Sequence, residues 1–397
     1  MRSYLKKFEK GYRPYTWDRD PDYCDYVLRR IMEEEGEDLK LEVKHYSDRA
    51  KPFLRGEGYH GSILGQTGSG KTTLLFDLEK RFMKNNILVI HRDDCGSSWI
   101  RILPDTPTNV YIPRGCNLKL ISDKYTSLDY AIHHFDLKRV DELFWMIYDS
   151  DDLYHVILIF PFTSNMGVAS EFWANFLTHL IVETARLPIS QARKVCFSCD
   201  QLNDILRPRG KEINVKQANV RELFNRAIAN LRKQKVTILS TTHRLMDITA
   251  SARTEFSYTF IKKIKKWEIY DWLNRELILA NNRTFFRLVA DISRLPRNLY
   301  VLFDVNGFYD CIKYPNIPTL SQVGIDREFK GWIKEYGSEK TFDVIDMIIA
   351  IGKMKGLRFK DIAEICGKAT STIHHHYTHH ILKNPALPEE IKLALKR

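Results

Sequence analysis

The sequence predicts an α/β fold in which a mainly parallel sheet is flanked by helices and followed by a small helical domain. Three observations predict it. From Tyr59 onward, short β-branched runs alternate with longer helical patterns, as strands joined by crossover helices require. A glycine-rich stretch, Gly65-Gln66-Thr67-Gly68-Ser69-Gly70-Lys71-Thr72, stands between the first of those strands and the first of those helices. Two prolines in Lys313-Tyr314-Pro315-Asn316-Ile317-Pro318 then break the pattern ahead of a helical C-terminal region.

Residues 1–55 are charged and aromatic and are expected to form an N-terminal extension with a helix over 23–35. Within 56–315, strands are expected at 61–64, 87–91, 156–160, 194–199 and 236–241, with a further pair at 256–261 and 300–304. Helical periodicity is clearest over 71–84, 170–185 and 215–234. Residues 326–397 are expected to form the separate helical domain.

At 397 residues the chain is long enough for two or three domains, and its 44% hydrophobic content excludes general disorder. A formal net charge of +11 favours a polyanionic partner, although charge alone does not separate nucleic acid from an anionic membrane surface. No apolar run follows the basic N-terminus, so no signal peptide is expected. The longest apolar stretches, 156–160 and 344–351, fall short of the ~20 residues of a membrane span. A soluble, cytoplasmic protein is the expectation. Seven cysteines at irregular spacing do not form a disulfide framework. Cys196 and Cys199 lie in an apolar run without a second Cys or His pair nearby, and read as small core residues.

The glycine-rich stretch has the chemistry of a phosphate-binding loop. Gly65, Gly68 and Gly70 let backbone N–H groups turn inward around phosphate oxygens, and the helix that follows adds its N-terminal dipole. Lys71 supplies a point charge to the β- and γ-phosphates, and the Thr72 hydroxyl ligates Mg²⁺. The expected contacts to ATP run from Gly65 through Gln66, Thr67, Gly68, Ser69, Gly70, Lys71 and Thr72 to Thr73.

Hydrolysis also needs a carboxylate on a neighbouring strand to hold Mg²⁺. Asp200, closing the apolar run 195–199, is the expected one. Gln201 follows it, where a glutamate would ordinarily polarise water; glutamine orients water but does not accept its proton. Asp204 is a carboxylate that would assist. The run Val236-Thr237-Ile238-Leu239-Ser240-Thr241-Thr242-His243 ends in polar residues where a γ-phosphate-sensing group belongs, and His243 is expected to donate there.

With these residues in place, the chain resembles the HerA/FtsK superfamily of DNA-pumping P-loop ATPases, which includes conjugative coupling proteins and viral genome-packaging ATPases. The likeness covers about 59–315. Beyond the loop it rests on Ile87-Leu88-Val89-Ile90-His91-Arg92-Asp93-Asp94-Cys95-Gly96, on Ser240-Thr241-Thr242-His243-Arg244 with Asp247, Arg253 and 256–261 after it, and on the closing strand around Leu295-Pro296-Arg297-Asn298-Leu299-Tyr300-Val301. Two positions depart from the pattern: Gln201 stands where glutamate is usual and His243 where glutamine is. The resemblance implies a RecA-like core and a homo-oligomeric, hexameric ring in which Arg253 or Arg244 reaches a neighbour's nucleotide. Such an arginine is worth ~10³ to 10⁵ in rate.

In the C-terminal region, Ala363, Gly367 four residues later and Ile373 six later still have the spacing of a helix-turn-helix. A second helix starting near Thr370 turns Ile373, Tyr377 and Ile381 inward. It leaves Ser371, Thr372, His374, His375 and Thr378 for a DNA groove. Lys360, Lys368 and Thr370 complete the expected contacts to duplex DNA. The functional expectation is an ATP-dependent motor that moves, transfers or packages duplex DNA. The alternative is an AAA+-type replication initiator or nucleotide-switched regulator with a winged-helix tail.

Overall fold

A computed structural model describes residues 21–36, 38–93, 99–100, 106–122, 129–159, 166–202, 205–206, 215–243, 255–265, 269, 283–315, 323–329, 349, 353, 357–366 and 369–381. In chain order its elements are α1 (Pro21–Glu35), β1 (Val43–Lys44), α2 (Lys51–Leu54), β2 (Gly61–Leu64), α3 (Lys71–Lys84), β3 (Leu88–Asp93), β4 (Thr108–Pro113), β5 (Cys116–Ser122) and β6 (Tyr130–Phe135). There follow α4 (Val140–Tyr148), β7 (Tyr154–Leu158), α5 (Met166–Arg186), β8 (Val195–Asp200), α6 (Val215–Leu231), β9 (Val236–Thr242) and β10 (Tyr258–Ile261). The last are α7 (Arg283–Arg294), β11 (Leu299–Phe303), β12 (Tyr309–Lys313), β13 (Val323–Phe329), α8 (Phe359–Cys366) and α9 (Thr370–His375).

Eleven strands form one sheet in the order β1-β12-β11-β10-β2-β9-β8-β3-β7-β4-β6. From β10 to β6 every neighbouring pair is parallel; β11 is antiparallel to both β10 and β12. The central strands β2, β3 and β9 are buried along their whole length, polar residues included. Each strand expected from sequence is present within two residues of its expected limits, and the sheet is mainly parallel as expected. β4, β6 and β12 carry no clear sequence signal. β6 lies at the sheet edge with mixed exposure, and β12 contains Asp310 and Lys313, so neither shows an apolar run.

The chain divides into two compact units, residues 1–114 with 118–326, and residues 115–117 with 327–397. In the first, Leu28 and Ile31 of α1 are buried in one cluster with Phe286, Leu288, Val289 and Ile292 of α7. β1 pairs with β12 at the other sheet edge, and Asp310 accepts from Lys44 Nζ and Ser47 Oγ. Phe53 of α2 packs among Phe82, Tyr258 and Phe260 at ring distances of 5.0 to 5.3 Å. The described part of the N-terminal residues is thus built into the layer that carries β2. Cys196 and Cys199 are fully buried, as expected of core residues. Among the described residues, no helix is long and apolar enough to cross a membrane.

The second unit buries Ile349, Ile362, Ala363, Ile373, Tyr377 and Ile381 in a small cluster of its own. α9 continues into a π-helical turn over His376–Ile381.

Candidate nucleotide site

β2 runs up the middle of the sheet between β10 and β9 and releases the chain into the glycine loop, which α3 closes. Gly68 and Gly70 adopt φ of 76° and 93°, where a side chain is strained. A Cβ at position 65 would fall 2.5 Å from Ser69 Oγ, so that close approach also requires glycine. The loop is held from both sides. Gln66 N–H donates to Lys263 O at 2.9 Å, and Arg297 Nε donates to Gly68 O at 2.8 Å.

Lys71 is buried, and its ammonium donates to Gly65 O at 2.8 Å and Gln66 O at 3.3 Å. It also lies 3.3 Å from His243 Nδ1, an acceptor in that contact, which leaves the ring proton on Nε2. Burial lowers the Lys71 pKa, opposed by the charge of Asp200. Lys71, His243 and Asp200 therefore belong to one electrostatic cluster at the C-terminal ends of parallel strands.

Asp200 is not on the strand next to the loop's strand, contrary to the simple expectation. β9 stands between β2 and β8. That interposition is what brings His243, just beyond β9, to Lys71. Asp200 accepts a hydrogen bond from Thr241 Oγ1, so β9 also orients the carboxylate. Gln201 adopts φ 63°, a left-handed conformation uncommon for a side-chain-bearing residue. Its N–H donates to Thr241 O at 3.1 Å and Thr241 Oγ1 at 3.2 Å, and its carbonyl accepts from Arg92 Nη1 at 3.3 Å. Arg92 is buried, with its guanidinium 5.2 Å from the Trp173 ring centre.

The residues present fit a nucleoside triphosphate with Mg²⁺. Ser69 Oγ is buried without a hydrogen-bond partner inside the loop, and Lys71 faces neutral carbonyls rather than a carboxylate. Thr72 and Asp200, both half-buried, supply the hard oxygens that Mg²⁺ takes. Gln66 and Thr73 are half-buried and Thr67 is exposed, so the loop's outer rim is open to solvent. Arg244, Arg253 and Asp204 lie outside the described residues.

Arg92, Lys262, Arg297 and Tyr314 also shape the site and were not expected there. Arg92, Lys262 and Tyr314 sit at strand ends, where the sequence signal is a polar residue closing an apolar run. Sequence cannot say which of these ends share one edge of the sheet.

In the second unit, Lys360, Thr370, Ser371, Thr372, His374 and His375 are exposed, while Ile373, Tyr377 and Ile381 are buried as expected. Lys368 and Gly367 lie outside the described residues. Among the described residues, no group of three His, Cys, Asp or Glu is placed to hold a metal.

No family model matches the chain, and no curated protein does. Among solved structures, it is similar to the genome packaging NTPase B204 from Sulfolobus turreted icosahedral virus 2 in complex with AMP, at 10% identity and TM-score 0.37, over 65% of this chain and 98% of that one. It is similar to the bacterial conjugative coupling protein TrwBΔN70 at 11% identity and TM-score 0.44, over 75% of this chain and 93% of that one. It is also similar to the pCW3 conjugation coupling protein TcpA with ATPγS, at 12% identity and TM-score 0.38, over 71% of this chain and 72% of that one.

Proposed function

We propose that this chain is a Mg²⁺-dependent ATPase that moves, transfers or packages duplex DNA, and that it works as a homo-oligomer, a hexameric ring. The observation that supports it best is the convergence of Lys71, His243 and Asp200 beside the glycine loop. The loop amides receive the phosphate chain, and Lys71 leaves the carbonyls of Gly65 and Gln66 for the β- and γ-phosphates. Thr72 and Asp200 would hold Mg²⁺, which would supply positive charge to offset that developing on the phosphate oxygens. The side chain of Gln201 orients the attacking water. His243 reports the γ-phosphate to β9 through its bond to Lys71. Arg253 or Arg244 supplies charge across the ring to a neighbour's nucleotide. α8 and α9 grip DNA as a helix-turn-helix, with Lys360 and Lys368 on phosphates and Ser371, Thr372 and His375 toward bases.

One observation favours a second reading, the nucleotide-switched initiator. Gln201 cannot accept the proton of the water it orients, so nucleotide would govern assembly and turnover would be incidental. The two separate in one experiment on the full chain: ATPase rate with and without long duplex DNA, alongside oligomer mass with a non-hydrolysable nucleotide. A motor forms a ring and is stimulated severalfold by long duplex. A switch assembles without stimulation.

A further inference from the structure

Behind the phosphate loop lies a lysine that the chemistry above does not use. Lys262 follows β10, is fully buried, and donates to Arg297 O at 2.5 Å, Leu299 O at 2.6 Å and Tyr314 Oη at 2.9 Å. All three acceptors are neutral. Its Nζ lies 4.5 Å from the Tyr314 ring centre. A buried ammonium without a carboxylate is costly, and the cost falls when an anion comes near.

The same side chain touches both ends of the loop. A Cβ at Gly65 would fall 2.7 Å from Lys262 Cβ, and one at Gly70 would fall 3.7 Å from Lys262 Cε. Lys262 N–H donates to Leu64 O at 2.7 Å, and the next carbonyl, Lys263 O, accepts from Gln66 N–H. Tyr314 Oη, which accepts from Lys262, shares its proton between Arg297 O at 2.7 Å and Gly70 O at 3.2 Å. The loop's first and third glycines thus rest on one Lys–Tyr pair.

We propose that Lys262 is a second cation of the nucleotide site, acting from behind the loop on the phosphates of a bound nucleoside di- or triphosphate while Tyr314 positions Gly70. The proposal rests on the loop being a nucleotide site. It has a signature that a merely structural lysine lacks, which is proton uptake on binding. Burial pushes the free Lys262 ammonium down to about 7, with Cys311 working the other way. A polyanion beside it raises that value, so nucleotide binding draws in a proton near and above neutrality.

Other groups face this lysine. From β12 and beyond come the Cys311 thiol, pushed up to about 11, and the Tyr314 phenol, pushed up by burial. The Tyr300 ring of β11 lies 5.7 Å from that of Tyr314 in a tilted arrangement, and burial raises its phenol too. From α3 come Lys71, lowered by burial, and Asp77, raised by burial and paired with Arg81. Among the described residues around it, Lys71 is the other lysine that burial shifts downward, so the test must separate these two.

The test is calorimetric titration of Mg-ADP into the full chain between pH 6 and 8.5, each pH in two buffers of different ionisation enthalpy. If binding raises the Lys262 pKa by one unit, uptake at pH 8 is about 0.4 proton, and the charged form binds about tenfold tighter than the neutral one. Lys262→Met should then bind about ninefold more weakly at pH 6, converge to within about 1.5-fold of wild type at pH 8.5, and take up no proton. Tyr314→Phe should weaken binding at every pH and retain the uptake. A Lys262→Met protein that binds like wild type at pH 6, or that still takes up the proton, overturns the proposal and moves the titration to Lys71. If Lys262→Met does not fold, Lys262→Arg, which keeps the charge and does not deprotonate, decides: wild-type uptake that peaks near pH 7.5 and is lost in Lys262→Arg supports the proposal, and uptake retained in Lys262→Arg overturns it. Wild type that binds no nucleotide at all would instead sink the reading of the site.

Discussion

Gln201 holds a left-handed backbone that costs a side-chain-bearing residue about 1 to 2 kcal/mol, and its N–H, donating to Thr241 O and Oγ1, and its carbonyl, accepting from Arg92, hold it there. Strain kept at the position after Asp200 motivates a paired prediction. Gln201→Gly should raise thermal stability while lowering kcat, whereas Gln201→Glu should keep or raise kcat by adding a proton acceptor. If Gln201→Gly hydrolyses ATP like wild type, the side chain does not orient water. Lys71→Ala should abolish nucleotide binding or turnover in a folded protein, and Asp200→Ala should remove the Mg²⁺ dependence. Normal turnover by either variant places the chemistry on other residues. The motif residues 65–73 were legible because each is fixed by chemistry within a few positions of chain. Arg92 and Lys262 were not, because their partners lie far away in sequence and only the strand order brings them together.

At the scale of elements, α3 is fastened to the sheet by Glu79, a carboxylate with no exposure at all. It accepts from Tyr154 Oη of β7 at 2.8 Å, from His91 Nδ1 of β3 at 2.8 Å and from Ser198 Oγ of β8. Three parallel strands are thus tied to the helix that closes the phosphate loop. Removing one member of such a pair strands the rest, so Glu79→Ala should cost about 3 to 5 kcal/mol, whereas Tyr154→Phe, losing one neutral bond, should cost about 1 kcal/mol. Chemical denaturation followed by intrinsic fluorescence measures both; equal losses would show that the carboxylate is not the hub. Burial pushes the His91 pKa down, but the charge and hydrogen bond of Glu79, with Asp93 and Asp200 beyond it, more than offset this, and the net direction is upward. The pair's contribution is therefore fully present below the unfolded histidine value of about 6.5 and is lost as pH rises through the higher folded value. A His91→Phe protein should lack that part of the pH dependence. The sequence marked β3 and β8 by their apolar runs, yet a histidine in one and a serine in the other gave no hint of a shared acceptor on α3. β6 escaped detection for the opposite reason, since a half-exposed edge strand with two histidines has neither an apolar run nor clean alternation.

For the whole molecule, the net charge of +11 bears on association rather than folding, and it predicts how any DNA binding should respond to salt. Lysines and arginines that neutralise phosphates release counterions, so log affinity should fall linearly with log salt, with a slope near −0.9 per phosphate contacted. The exposed side of α8 and α9 carries Lys360, Thr370, Ser371, Thr372, His374 and His375, while Ile362, Ala363 and Ile373 anchor the pair from inside. Three changes in the full chain separate contact types that this surface would make. Lys360→Ala should weaken binding uniformly across sequences and reduce the salt slope by about one, because a phosphate contact carries no sequence information. His375→Ala should instead alter preference among sequences at nearly constant slope, because a group at a base edge discriminates without releasing a counterion. Ending the chain at residue 325 should leave basal ATPase activity intact and reduce its stimulation by long duplex. Fluorescence anisotropy with duplexes of different sequence at several salt concentrations reads the first two, and a coupled ATPase assay reads the third. Unchanged DNA stimulation after that truncation would separate the C-terminal helices from the motor and assign their exposed face to a protein partner.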